Sequence, residues 1–146
     1  MTEEIVPVEL DAATRTYLDR VGLGALSAKM GIEFVEFRPE RAIATMPVEG
    51  NTQPFGLLHG GAYAVLGETL GSMHAGLVAP EGKMPVGVDI NATHTGSAVS
   101  GIVTGVCTPI HLGRSMTVHE IVITNDAGKR CSTVRITNFY KNRPTA

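Results

Sequence analysis

Glu68 is the residue around which chemistry can be built. Between Glu49 and Glu81 it is the only Asp, Glu, Lys or Arg. It lies inside GGAYAVLGETLGSMHAGLV, residues 60–78, where Ala62, Leu66, Thr69, Leu70, Met73 and Leu77 recur at helical spacing. On such a helix its neighbours three and four residues away are Ala64, Val65, Gly71 and Ser72, with Gly61 and Ala75 a turn further out. Gly67 and Gly71 each cost a helix interior about 1 kcal/mol relative to Ala. Two explanations fit glycines beside a carboxylate. They leave room for something flat or thin to reach it, or they let a strand pack closely on the helix. A solvated face does not fit, because the helix carries no other charge.

The start of the same helix offers a second element. In His59–Gly60–Gly61 the free N–H groups and the helix dipole favour developing negative charge. Glycines let a carbonyl oxygen come close, which is the geometry of an oxyanion hole. Gly60 and Glu68 are about 12 Å apart along a straight helix axis. That is long for one carbonyl. Either the first turn is irregular, or the two groups serve different sites that a dimer brings together.

Other constellations weigh less. His59, His74, His94, His111 and His119 show no His-x-x-x-His spacing, and Cys107 and Cys131 no Cys-x-x-Cys, so no metal site is expected. Both cysteines fall in strand patterns and read as core. No serine occupies a Gly-x-Ser-x-Gly elbow, and no dinucleotide or phosphate-loop motif occurs. Arg114, in His111-Leu112-Gly113-Arg114-Ser115, suits the gripping of a phosphate by turn N–H groups and guanidinium, or is simply a polar turn.

The elements that must position these residues follow from pattern. VELDAATRTYLDR, residues 8–20, predicts a helix with Asp11 as its cap, and ALSAKM one short helical piece after Gly22 and Gly24. Residues 31–48 read as a hairpin, with Ile32, Phe34 or Val35, and Phe37 alternating in its first strand. NTQPFGLL is a loop. After the long helix come PVGVDINATHT, GIVTGVCTPIHL, SMTVHEIVIT and RCSTVRITNFY, four strands separated by turns. A lone helix after a hairpin, then a run of antiparallel strands, predicts an α+β fold with the helix lying on one sheet. A sheet covers one side of a helix. The other side of this nearly uncharged one is expected to meet a second copy of the chain.

Composition sets the limits. At 146 residues the chain is one domain with an N-terminal helical extension of about residues 8–28. Hydrophobic residues make up 43% and charged ones 18%, ordinary for a globular protein. A net charge of −2 argues against nucleic-acid binding. Glu68 and Pro54 argue against a membrane span in the uncharged stretch. Two cysteines make no disulfide framework, and MTEEIVPVEL lacks the order of a signal peptide, so a cytoplasmic location is expected.

Residues 53–74, QPFGLLHGGAYAVLGETLGSMH, supported by VGVDINATHT and by GVCTPIHLGRSMTVHEIVITNDAGKRC, resemble the hotdog-fold acyl-CoA thioesterases of the PaaI-like group. Within it they look most like the aryl-CoA branch that carries Glu on the central helix. That branch includes 4-hydroxybenzoyl-CoA, 1,4-dihydroxy-2-naphthoyl-CoA and enterobactin-proofreading thioesterases. The resemblance spans roughly residues 30–137. It implies an antiparallel sheet wrapped around one long helix, a homodimer or dimer-of-dimers tetramer, and active sites at the dimer interface. It implies that Glu68 is nucleophile or general base, that the Gly60 N–H meets the thioester oxygen, and that Gln53 orients the thioester with His59 in support. Ser72 would position the attacking water. Gly61, Tyr63, Met73, His74 and His94 would shape the acyl side, and Gly113 and Arg114 would lie toward CoA. No metal or redox cofactor is implied. The acyl group, and CoA versus an acyl-carrier protein as carrier, stay open. So do a hotdog hydratase or dehydratase using His59, and a non-catalytic acyl-CoA-binding module.

Overall fold

The computed structural model describes residues 5–145. Two short helices come first, α1 (Ala12–Val21) and α2 (Gly24–Met30). Asp11 caps α1 by accepting the Thr14 N–H at 2.7 Å. The helical extension breaks at Gly22, whose φ of 71° lies in the left-handed region that glycine tolerates best. A hairpin of β1 (Glu33–Arg38) and β2 (Arg41–Pro47) leads to the long helix α3 (Gly60–Leu77). Four strands follow: β3 (Lys83–His94), β4 (Ile102–Leu112), β5 (Met116–Thr124) and β6 (Arg130–Asn142).

All six strands form one antiparallel sheet in the order β1-β2-β4-β5-β6-β3. The α+β architecture of a sheet around one helix is therefore as expected. The inward residues Met46, Val103, Ile121, Ile123, Val134 and Ile136 bury themselves against Leu66 and Leu70 of α3. The first strand resolves its uncertain alternation with a bulge between Phe34 and Glu36. Phe34, Glu36 and Phe37 all turn inward, while Val35 does not.

That bulge buries a carboxylate, and the sequence supplies its partners. Arg41 clamps Glu36 through Nε at 2.7 Å and its second nitrogen at 2.8 Å. Arg38 adds weaker contacts, and the Val8 N–H donates at 2.7 Å, tying the N-terminal segment to the sheet. A buried charge is tolerable only when so paired. The Arg41 hydrogen bonds hold Glu36 down to about 2, well below the usual carboxylate range.

A second buried polar pair lies under the far end of α3. His74 Nε2 faces the carbonyl oxygens of Arg38 and Pro39, so it carries the ring proton and donates. His74 Nδ1 is then the acceptor for His119 Nε2–H at 2.8 Å. Burial lowers both rings, and His74 adds to the effect on His119, which falls to about 4.

These two sites predict the acid limb of stability. His119 stays neutral in the folded chain while its unfolded counterpart protonates, so stability falls as pH drops from about 6.5 to about 4. Glu36 stays ionised while its unfolded counterpart protonates, so a second loss runs from about 4.5 to about 2. Urea unfolding against pH should show His119→Leu flattening the upper window alone and Glu36→Gln the lower one alone. Unchanged slopes in both variants would refute the assignment.

Candidate active site

Helix α3 is continuous from Gly60, so the irregular first turn is ruled out. It starts with His59, whose Nδ1 accepts the Gly61 N–H at 2.8 Å. Gly61 is thus committed to the cap. The Gly60 N–H has no acceptor among the described residues and points out of the helix end, as an oxyanion donor must. His94, from the end of β3, leans over this turn: a side chain on Gly60 would meet His94 Nε2 at 2.8 Å. His94 is held by Ser132 Oγ at 2.9 Å and lies 5.1 Å from the Tyr63 ring, centre to centre. Gln53 stands in the loop before the helix, its side-chain oxygen accepting the Phe55 N–H. Gln53, His59, Gly60 and His94 therefore gather at one end of the protomer.

Glu68 lies two turns on, exposed in the single protomer, against β3. A Cβ at Gly87 would come 3.1 Å from Glu68 Oε1 and 3.7 Å from Asn138 Oδ1. Ser72 donates to that same Asn138 oxygen at 3.1 Å. Glu68, Ser72, Gly87 and Asn138 make a second cluster, separated from the first by about 12 Å of helix. The sequence reading missed Gly87 and Asn138. Their signal was available: Asn138 continues the inward alternation of Val134 and Ile136 with a polar residue, and Gly87 faces it across β3 and β6.

Several expected pocket residues sit elsewhere. Tyr63 is 2% exposed, and burial raises its hydroxyl to about 12; it is a core phenol underneath His94. His74 is wholly buried with His119, so it does not shape an acyl pocket from this protomer. Met73 is half-buried against the core. Gly113 and Arg114 form the turn between β4 and β5, where the Tyr140 N–H donates to Ser115 O. This end of the sheet also carries Lys83, Lys141 and Arg143, and lies away from Gly60. Cys107 is buried and pushed up to about 12, which leaves it without nucleophilic character.

The small residues of α3 also find their explanation. A Cβ at Gly67 would strike Val134 at 2.5 Å, and one at Gly71 would strike Ile136. Of the two explanations open for these glycines, the structure favours the second: they admit strand β6, not a flat molecule. A cavity of about 570 Å³ lies between α1, α2 and β1 and touches neither cluster. Among the described residues no helix is long and apolar enough to cross a membrane.

Two clusters on one helix, a continuous sheet around it and a free edge at β3 define a familiar class. The thioesterase superfamily profile matches residues 55–132. The proofreading thioesterase EntH of Cronobacter turicensis is 47% identical over 120 residues, 82% of this chain and 88% of the relative. EntH of Klebsiella pneumoniae is 48% identical over 110 residues, covering 75% and 80%. Among solved structures, a thioesterase of Haemophilus influenzae superposes with a TM-score of 0.81 at 41% identity, covering 86% of this chain and 88% of that one. A Pseudomonas aeruginosa thioesterase reaches 0.82 at 38%, covering 88% and 94%. The chain belongs to the hotdog thioesterase superfamily and is a thioester hydrolase.

The close approach of α3 and β6 can be tested apart from activity. Gly71→Ala should destabilise by about 1–3 kcal/mol through overpacking against Ile136, although Ala is the better helix former by about 1 kcal/mol. A urea midpoint equal to or above wild type would show that the glycine is not there for the strand.

Proposed function

We propose that this protein hydrolyses aromatic acyl-CoA thioesters, of hydroxybenzoyl or dihydroxynaphthoyl type, to the free acid and CoA. The observation that carries this reading is the lone carboxylate of α3, held beside Gly87 and one turn from the Ser72 hydroxyl. The free Gly60 N–H waits at the N-terminus of the same helix, two turns away.

The two clusters become one site in a homodimer. β3 is an edge strand of twelve residues, with Val88 and Ile90 exposed. An unpaired edge of that length invites another strand. Antiparallel pairing of β3 with its copy about a two-fold axis inverts the strand. The His94 and Gly60 end of one protomer then lies over the Gly87 and Glu68 position of its partner. The same pairing covers the uncharged face of α3, and a dimer of dimers extends it.

In that arrangement Gly60 donates to the thioester oxygen, Gln53 and His59 orient the acyl group, and Glu68 of the partner subunit faces the carbonyl carbon. Glu68 either takes a proton from water as it attacks, or attacks first and forms a mixed anhydride that water opens. In both routes the carbon–sulfur bond breaks and the thiolate leaves to take up a proton. The second substrate is water, and the reaction uses no metal or redox cofactor. Arg114, with Lys83, Lys141 and Arg143 at its end of the sheet, faces the phosphates of CoA or an acidic carrier protein. Two free, buried cysteines suit a cytoplasmic setting. The commitment of His59 Nδ1 to the helix cap argues against a hydratase that would need that nitrogen as base.

Free-thiol release from benzoyl-, hydroxynaphthoyl-, phenylacetyl- and fatty acyl-CoAs, and from an acylated carrier protein, tests the reading. Aryl thioesters should turn over fastest, and Glu68→Ala should lose at least about a hundredfold to ten-thousandfold in kcat. Release that survives in Glu68→Ala would remove Glu68 from the mechanism. Binding of the thioesters without release would make the protein a binding module.

A further inference from the structure

Asn138 has no stability reason to be where it is. It sits on the inward face of β6 after Val134 and Ile136, with no exposed surface. Asn is depleted in strands, and a buried amide is costly unless its hydrogen bonds are made. Among the described residues its Nδ2 has no partner, and neither does the Oγ1 of Thr117 opposite it. The one side-chain bond it makes is the one it accepts from Ser72.

We infer that Asn138 is a positioning residue that fixes the direction of the Ser72 hydroxyl and through it the attacking water. The inference rests on the proposed role of Glu68 in activating that water. A serine hydroxyl has one proton and two lone pairs. With the proton held by Asn138 Oδ1, Ser72 Oγ presents only lone pairs to its surroundings. A water between Ser72 and Glu68 must then donate one hydrogen to Ser72 Oγ and the other to the Glu68 carboxylate. Both of its hydrogens are engaged, and a lone pair is left for the thioester carbon. Without Asn138 the hydroxyl is free to rotate and donate into that lone pair or to Glu68, which blocks the nucleophile. The Asn138 and Glu68 oxygens are close enough for this, since both lie within 4 Å of the place a Gly87 Cβ would take.

The test is a double-mutant cycle on the fastest aryl-CoA substrate of the panel. Ser72→Ala and Asn138→Ala should each lower kcat about tenfold to a hundredfold with KM nearly unchanged, and the double variant should be no slower than Ser72→Ala alone. Multiplying losses, or a loss confined to KM, would overturn the inference. Asn138→Asp is isosteric and keeps the acceptor, so it carries the test if Asn138→Ala does not fold. Its kcat should return to within about fivefold of wild type at alkaline pH. The acidic limb of kcat/KM should move to higher pH, because a second carboxylate beside Glu68 raises its affinity for a proton. An Asp variant as slow as the Ala variant at every pH would overturn the inference. So would a fully active Ser72→Ala, while leaving the thioesterase reading intact. A wild type that releases no thiol from any thioester would remove that reading and this inference together.

Discussion

The closeness of α3 to its sheet is the constraint on which the other features depend. Gly67 and Gly71 on the helix take Val134 and Ile136 into the space of their missing side chains, and Gly105 on β4 takes Leu70 in the same way. Interiors packed to crystal-like density leave no slack for an added methyl. The helix is therefore fixed in height and rotation. Its rotation decides which residues lean over β3, and those are Glu68 and Ser72. The glycines thus set where the carboxylate stands, from the face of the helix next to it.

The same tight core handles its polar groups in three different ways. Glu36 is neutralised by two arginines and a backbone N–H. His74 and His119 stay uncharged; His74 uses both ring nitrogens, on His119 and on two carbonyls, while among the described residues His119 Nδ1 has no partner. Asn138 is left half-satisfied beside the carboxylate face. The first two arrangements tie down segments that packing alone would hold loosely, the N-terminal strap and the β1–β2 turn. The third tightens nothing that needs tightening, which is why it reads as chemistry.

Much of this was legible in the sequence because two periodicities are unambiguous. The 3.6-residue recurrence of residues 60–78 and the alternation of the later strands leave few other folds. The isolation of Glu68 and the HGG start could be seen without coordinates. The bulge at Glu36 could not, since a one-residue slip changes which of Phe34 and Val35 faces inward and both choices look apolar. The glycine stripe left two explanations open for a related reason. A sequence shows that one face of a helix is small, but not whether a strand or a substrate takes the space. Asn138 and Gly87 escaped because they lie 51 positions apart and meet only through the β3–β6 register.

In the proposed mechanism the separation of the two clusters follows from using one straight helix for two electrostatic tasks. The N-terminus supplies positive potential for an oxyanion, and only the first turn offers free N–H groups. A carboxylate placed in that turn would sit in the same field and compete with the oxyanion for it. Two turns along, Glu68 is clear of that end, but it can no longer reach a carbonyl bound at Gly60. Pairing about a two-fold axis removes the conflict without bending the helix. In the proposed dimer the partner helix runs the other way, so one subunit's N-terminus faces the other's carboxylate, and the operation makes two equal sites at once. The long unpaired edge of β3 and the uncharged face of α3 are what such a pairing requires of the protomer, and both are written into the stretch from Gly60 to His94.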